Sequence, residues 1–238
     1  MIEIRHTRNE QLDKAYDTLY DETPIRHLDS LYAWILKVSE MRPGQRYLDV
    51  ACGQARVVEL ALEQGIKAFG TDYSFSALSA SKNTSRLFLA NGEALPFASR
   101  SVERVTNIGS LEHYVDPLRG ASEMARILTD EGIACILLPN TFSLTATVLH
   151  AYHTGSILDD GQPLQRYCTR EGWQKILEAG GFEVLRVRKY ERPWPSSLRD
   201  LAFYLARPKE LIHLLISPFI PTNLSFAFVF ICRKKRGA

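Results

Sequence analysis

Tyr47-Leu48-Asp49-Val50-Ala51-Cys52-Gly53-Gln54-Ala55-Arg56 is an apolar strand that runs into a turn of small residues and then into a helix. Small side chains at Ala51 and Gly53 let backbone approach a ligand closely, and the first turn of the following helix leaves N–H groups free to receive it. A dinucleotide-binding loop needs Gly-x-Gly-x-x-Gly. The corresponding positions here are Ala51, Gly53 and Arg56, and a bulky Arg in the third place opposes the close helix–strand packing such a loop requires. A nicotinamide-dependent oxidoreductase is therefore disfavoured.

Outward from this stretch, short β-like runs recur at Arg46–Val50, Lys67–Thr71, Arg86–Ala90, Val102–Ile108 and Ile133–Leu138, with helical stretches such as Ala55–Gln64 and Arg119–Leu128 between them. That alternation predicts an α/β fold built on a doubly wound parallel sheet. A helix at Arg170–Ala179 ended by Gly180-Gly181, a strand at Phe182–Tyr190 and a last strand at Leu224–Cys232 complete the pattern. Upstream, Leu12, Tyr16, Leu19 and Tyr20, then Leu28, Leu31, Ile35 and Val38, recur at three and four and predict two helices within roughly 9–40. Residues 141–166 and 191–222 are irregular, the second rich in Pro and unusually apolar. They are expected to be insertions capping one end of the sheet, where ligands bind in such folds.

The chain has 238 residues, enough to bury a core as one domain. Lys+Arg 29 against Asp+Glu 27 leaves +2, with 24% charged and 45% hydrophobic residues. This balance argues against a disordered chain and against nucleic acid as the default partner. Cys52, Cys135, Cys168 and Cys232 are scattered, with neither C-x-x-C nor zinc-finger spacing, so a reducing cytoplasm is expected. The polar start MIEIRHTRNEQLDKAYD lacks a signal-peptide apolar region, and the longest apolar run, Phe226 to Cys232, falls far short of the ~20 residues of a membrane span.

Residues 47–56 resemble motif I of the class I S-adenosylmethionine-dependent methyltransferases, with Ala51 and Ala55 where that family more often has Gly. Gly70-Thr71-Asp72-Tyr73-Ser74 resembles its second-strand end, where a carboxylate accepts from both ribose hydroxyls. An acid at a strand end is on its own often only a helix N-cap. Ala90-Asn91-Gly92-Glu93-Ala94-Leu95-Pro96-Phe97 resembles the adenine-contacting segment, with Asn91 in place of the more usual Asp, and Leu111-Glu112-His113 follows the next strand. The resemblance covers roughly residues 45–190 and is closest to the branch of ubiquinone/menaquinone C-methyltransferases and small-molecule methyltransferases (methyltransferase type 11).

It implies a single domain over 1–238 with a Rossmann-like seven-stranded sheet, mostly parallel with an antiparallel last strand, helices on both faces, and an N-terminal helical lid over 1–44. It implies S-adenosylmethionine as cofactor, contacted by Tyr16, Tyr20, Asp49, Ala51, Gly53, Asp72, Tyr73, Asn91, Gly92, Glu93 and the Ile108 backbone. The implied reaction is in-line methyl transfer to a small-molecule or lipid-like acceptor, and the alternative is a non-catalytic S-adenosylmethionine-binding or regulatory protein of the same fold.

Methyl transfer from a sulfonium demands alignment, exclusion of water and sometimes a base, but no metal. His113 is the candidate base, against a reading in which it only packs or caps; Glu112 is open between a catalytic and a surface carboxylate. Tyr114, His150, His153 and Tyr167 are candidate substrate contacts. A metal triad of His113, His150 and His153 is the weaker use of those histidines. Tyr16 and Tyr20 either approach the sulfonium or pack on the core. Cys52 is a small loop residue without a catalytic assignment. The apolar insertion 191–222, with Arg207, Lys209 and the tail Arg233-Lys234-Lys235-Arg236 nearby, suggests a lipid-linked acceptor or peripheral membrane contact, against burial on the sheet or a homodimer interface.

Overall fold

The computed structural model describes residues 1–22 and 27–235; Arg236, and part of the expected lid, lie outside them. In chain order the elements are β1 (Ile2–Arg5), α1 (Leu12–Glu22), α2 (Asp29–Val38), β2 (Arg46–Val50), α3 (Arg56–Glu63), β3 (Lys67–Asp72), α4 (Phe75–Ser79) and β4 (Leu87–Leu89). There follow β5 (Val102–Ile108), α5 (Pro117–Ile127), β6 (Leu128–Pro139), α6 (Leu149–Thr154), β7 (Leu164–Tyr167), α7 (Arg170–Ala179), β8 (Phe182–Tyr190), α8 (Leu198–Leu205), α9 (Pro208–Ile216) and β9 (Ala227–Lys234). Seven strands form one sheet in the order β4-β3-β2-β5-β6-β9-β8. Neighbours from β4 to β6 are parallel, and β9 runs antiparallel to both β6 and β8. This is the doubly wound sheet with an antiparallel last strand.

Side-chain alternation sorts the strands' residues onto two faces. Leu48 and Val50 of β2, Ile136 and Leu138 of β6, and Phe228 and Phe230 of β9 join Met124 of α5 and Trp173 and Leu177 of α7 in one core. On the other face Tyr47 packs with Leu36 of α2 and Val57 and Val58 of α3, while Cys135, Leu137 and Val229 pack with Leu31 and Ile35. The helix starts are built from local chemistry. Asp116 accepts from the Arg119 N–H ahead of Pro117, and Thr169 and Ser74 cap α7 and α4 in the same way.

Three expectations need correction. The fifth parallel strand starts at Leu128, directly after α5, and the last strand runs from Ala227 to Lys234 rather than from Leu224. A second, two-stranded sheet pairs β1 antiparallel with β7, in register from Ile2↔Tyr167 to Arg5↔Leu164. Its sequence signal was the period of two in Ile2-Glu3-Ile4-Arg5, whose partner lies far along the chain. Residues 191–222 fold as α8 and α9 beside the β8–β9 edge, where Lys189 Nζ donates to the carbonyls of Ser217, Pro218 and Ile220 at 2.8–2.9 Å.

Candidate active site

The carboxyl ends of β2, β3, β5 and β6 open into a cavity of about 380 Å³, roofed by α1, the turn at 111–115 and the segment from Asn140 to Tyr167. After β2 the chain turns through Ala51 (φ 59°), Gly53 (φ 52°) and Ala55 (φ 61°), all left-handed. The turn is pinned by Cys52 N–H to the Thr71 carbonyl, 2.8 Å, and Gly53 N–H to Asp72 Oδ2, 2.7 Å. Asn107 of β5 braces it from beneath, donating to the Val50 carbonyl at 3.0 Å and accepting from Leu111 N–H at 2.9 Å. Arg56, which argued against a dinucleotide loop, reaches back to Asp29 of α2 at 2.8 Å and to Glu59 at 2.9 Å.

Asp72 is buried at the end of β3. One oxygen accepts from Gly53 N–H and the other from Ser74 N–H at 2.9 Å, so each keeps acceptor capacity for a ligand. Burial raises its pKa against these backbone donors. Asp49, one strand over, is buried too and accepts from the Thr106 hydroxyl; burial, with the Asp72 charge nearby, pushes it up to about 7. Asn91 Oδ1 accepts from Glu93 N–H at 2.8 Å, and Glu93 in turn accepts from Val115 N–H at 2.8 Å, so the adenine-type segment and the 111–115 turn hold each other. The Gly92 backbone lies directly under Tyr114: a Cβ there would fall 2.1 Å from the Tyr114 hydroxyl oxygen. Tyr20 covers Gly53, its hydroxyl 2.9 Å from where a Cβ would stand.

His113 is held by a bond from Nδ1 to the Leu164 carbonyl. A carbonyl only accepts, so Nδ1 carries the proton and Nε2 presents a lone pair. Burial lowers its pKa below the usual histidine value, which keeps the ring neutral near pH 7. Tyr16 packs edge-on to the same ring and donates to the same carbonyl at 3.3 Å. Glu112 lies beside it, Oε1 3.9 Å from His113 Nε2, and burial pushes it up to about 8.

Among the predicted site residues, His113, Tyr16, Tyr20, Asp49, Ala51, Gly53, Asp72, Tyr73, Asn91, Gly92, Glu93, Ile108, Tyr114 and Tyr167 all line this one cavity. His150 and His153 do not. Their helix α6 turns them outward: His153 is exposed and His150 bonds Ser156, so neither meets His113. Among the described residues no three His, Cys, Asp or Glu come together as a metal site. Residues 191–222 contribute nothing to the lining, whereas 141–166 does through Ser143, Ala146, Thr147, Leu158 and others. The basic tail is not a free cluster either, since Arg233 pairs with Glu183 at 2.9 Å and Lys234 is buried. Gln165, Ser143, Asp160, Tyr190 and Phe226, which carry no local motif, also line the cavity. Contacts remote in sequence, the β1–β7 pairing and the Arg166 bonds to the 111–115 turn, bring Gln165 there.

Residues 48–136 match a family described as "Methyltransferase domain". A demethylmenaquinone methyltransferase of Mycobacterium sp. (strain KMS) is 36% identical over 115 residues, 46% of this chain and 49% of that protein. The chain spans about half the length of the first curated relatives it matches. The crystal structure of the [4+2]-cyclase SpnF superposes with a TM-score of 0.68 at 17% identity over 98% of this chain and 99% of that one. A chain of the Haloferax volcanii complex between the Trm112 methyltransferase activator and a methyltransferase superposes at 0.67 with 16% identity, over 97% and 100%. The matched stretch and the fold are those of the class I S-adenosylmethionine-dependent methyltransferases, to which this chain is similar. The cofactor of that family is S-adenosylmethionine, and the cavity fits it: a buried carboxyl with acceptor capacity to spare, close backbone at Ala51 and Gly53, and five carboxyl groups with no Lys or Arg among the described lining residues suit a cationic ligand.

Proposed function

We propose that this chain catalyses methyl transfer from S-adenosylmethionine to a small-molecule or lipid-like acceptor. The observation that carries the reading is that one cavity joins Asp72 and the Gly53 turn to the lone pair of His113. Asp72 holds the ribose, Gly53, Ala51 and Asp49 the amino-acid end, and Asn91, Gly92 and Glu93 the adenine, with Tyr16, Tyr20, Tyr73, Tyr114 and the Ile108 backbone closing around them. When bound, S-adenosylmethionine supplies an already activated methyl group for in-line displacement. His113 Nε2 takes the proton that a hydroxyl or amine acceptor releases, while its Nδ1–H stays on the Leu164 carbonyl and keeps the ring aimed. Tyr16 and Tyr20 exclude water from above.

An enzyme is favoured over a non-catalytic binder because the cavity continues past the cofactor residues to Ser143, Gln165, Tyr190 and Phe226, room that a binder does not need. The apolar side of that extension and the likeness to a demethylmenaquinone methyltransferase support a lipid-like acceptor. The four free thiols are in keeping with a reducing cytoplasm. No helix among the described residues is long and apolar enough to cross a membrane.

Calorimetric titration with S-adenosylmethionine and S-adenosylhomocysteine, with NADH as control, tests the cofactor. Saturable binding of the first two is expected, and Asp72→Ala should weaken it by about 1–3 kcal/mol, the worth of charge-assisted hydrogen bonds. His113→Ala should leave cofactor affinity intact and lower turnover of an identified acceptor by roughly 10²-fold or more. Unchanged turnover removes the base, and absent cofactor binding removes the function.

A further inference from the structure

Around β7, three residues from three segments that line the cavity each carry a buried polar atom without a hydrogen-bond partner: Glu112 Oε2, Ser143 Oγ and Gln165 Oε1. Their residues are 4%, 1% and 4% exposed. The packing that gathers them is explicit. The Arg166 guanidinium, next to Gln165, donates to the carbonyls of Glu112, Tyr114 and Val115, and Leu164 accepts from His113, so β7 lies against the 111–115 turn. At its far end Thr141 N–H bonds the Cys168 carbonyl, which docks the 140–143 segment on the same strand. Gln165 stands beside the Tyr167 hydroxyl on one face of β7, but its Oε1 receives no bond of proper geometry.

Unpartnered buried polar atoms are costly, and a native cavity that keeps three of them is shaped for something that satisfies them. Gln165 Oε1 accepts, while the Ser143 hydroxyl and a protonated Glu112 carboxyl both donate and accept, so a hydroxyl or amine, which also does both, is the group that satisfies all three. The 3.9 Å between Glu112 Oε1 and His113 Nε2 leaves room for a single ligand oxygen or nitrogen at about 2.8 Å from both. A negative head would meet the Asp160 carboxylate and would hold Glu112 in its protonated form, with no Lys or Arg among the described lining residues to balance its charge.

Resting on the methyltransferase reading above, we propose that Glu112, Gln165 and Ser143 form the acceptor subsite and select a hydrogen-bond-donating head without negative charge, an amine or a hydroxyl, against carboxylate and phosphate. The head sits between Glu112 and His113, and the remainder of the acceptor lies on the apolar side made by Leu31, Tyr190 and Phe226. Glu112 is a positioning and selecting group here, and it keeps its proton when the head is a hydroxyl.

The test uses three probes that share an aromatic body and differ in the head: 2-phenylethanol, phenethylamine and phenylacetate, titrated by calorimetry into the full chain saturated with S-adenosylhomocysteine. The alcohol and the amine are expected to bind and phenylacetate to bind at least tenfold more weakly. Glu112→Gln should weaken phenethylamine at least fivefold and 2-phenylethanol less than twofold, and Gln165→Leu should weaken both, with S-adenosylhomocysteine affinity unchanged as the measure that the variants are folded. Equal or tighter binding of phenylacetate, no binding of any probe, or variants without effect overturns the proposal while leaving the cofactor reading in place. Failure of S-adenosylhomocysteine to bind overturns both.

Discussion

Ala51 and Ala55 hold φ of 59° and 61° where a glycine would carry no Cβ penalty. For an L-residue with a side chain that conformation costs about 1–2 kcal/mol, while a glycine loses about 0.5–1 kcal/mol more backbone entropy on folding. Ala51→Gly should therefore stabilise the fold by up to ~1 kcal/mol. Ala55 is fully buried in the core against α3, and losing its methyl costs about 0.8 kcal/mol more, so Ala55→Gly should be close to neutral. Urea midpoints at constant slope measure both, and a destabilised Ala51→Gly would show that contacts rather than strain set that position. The turn keeps its shape without glycine because its amides are tied: Cys52 and Gly53 to β3, Ala55 to Cys52.

At the level of elements, what the sequence made legible were the units that local pattern determines. β2, β5, β8 and α7 have the bounds their apolar runs and caps predict. The cofactor half of the cavity was legible for the same reason, since Asp49 to Gly53, Asp72 and Asn91 to Glu93 each sit at the end of a strand. The acceptor half was not: it depends on which way α6 faces and on a four-residue strand whose partner is remote, and neither is a property of a local window. The pair α8–α9 is a third case. Its apolar richness was plain, but the structure shows that this richness faces outward, with Leu198 85% and Phe219 86% exposed and Leu201, Leu205, Ile212, Leu215 and Ile216 exposed alongside Arg199, Arg207 and Lys209. An apolar face bordered by cations suits an anionic bilayer surface, and peripheral membrane contact is the reading we propose for it. Sedimentation with anionic vesicles should recover the chain, and Leu198→Asp with Phe219→Asp should reduce the bound fraction at least tenfold. A protein that ignores vesicles but dimerises through this face in equilibrium ultracentrifugation would assign the patch to a second copy instead.

Across the whole molecule, buried acids make the ligand-free protein sensitive to rising pH. Asp49 at about 7 and Glu112 at about 8 lie above the ~4 of unfolded carboxyls, so between those values the folded chain holds more protons than the unfolded one. Their contribution is complete below pH ~4 and is lost as pH climbs through 7 and 8; Asp72, raised as well, acts in the same direction. His113, lowered by burial, works the other way, costing stability only as pH falls below ~6.5. From pH 6.5 to 8 the unfolding free energy should therefore drop by on the order of 2 kcal/mol. Urea titrations across that range should see it, and Asp49→Asn with Glu112→Gln should flatten the profile; a flat wild-type profile would mean these carboxyls ionise freely. The β1–β7 pairing has a further consequence, in time rather than energy. Glu3 and Arg166 are 163 residues apart, so this seam closes a long loop and is expected late in folding, and its β1 side is only half buried. It is the last stitch in and the first out. Deuterium should enter the amides of β1 well before those of β2, while β7 stays on the 111–115 turn through Arg166 and the His113 tether, so the cavity wall outlasts the seam that covers it.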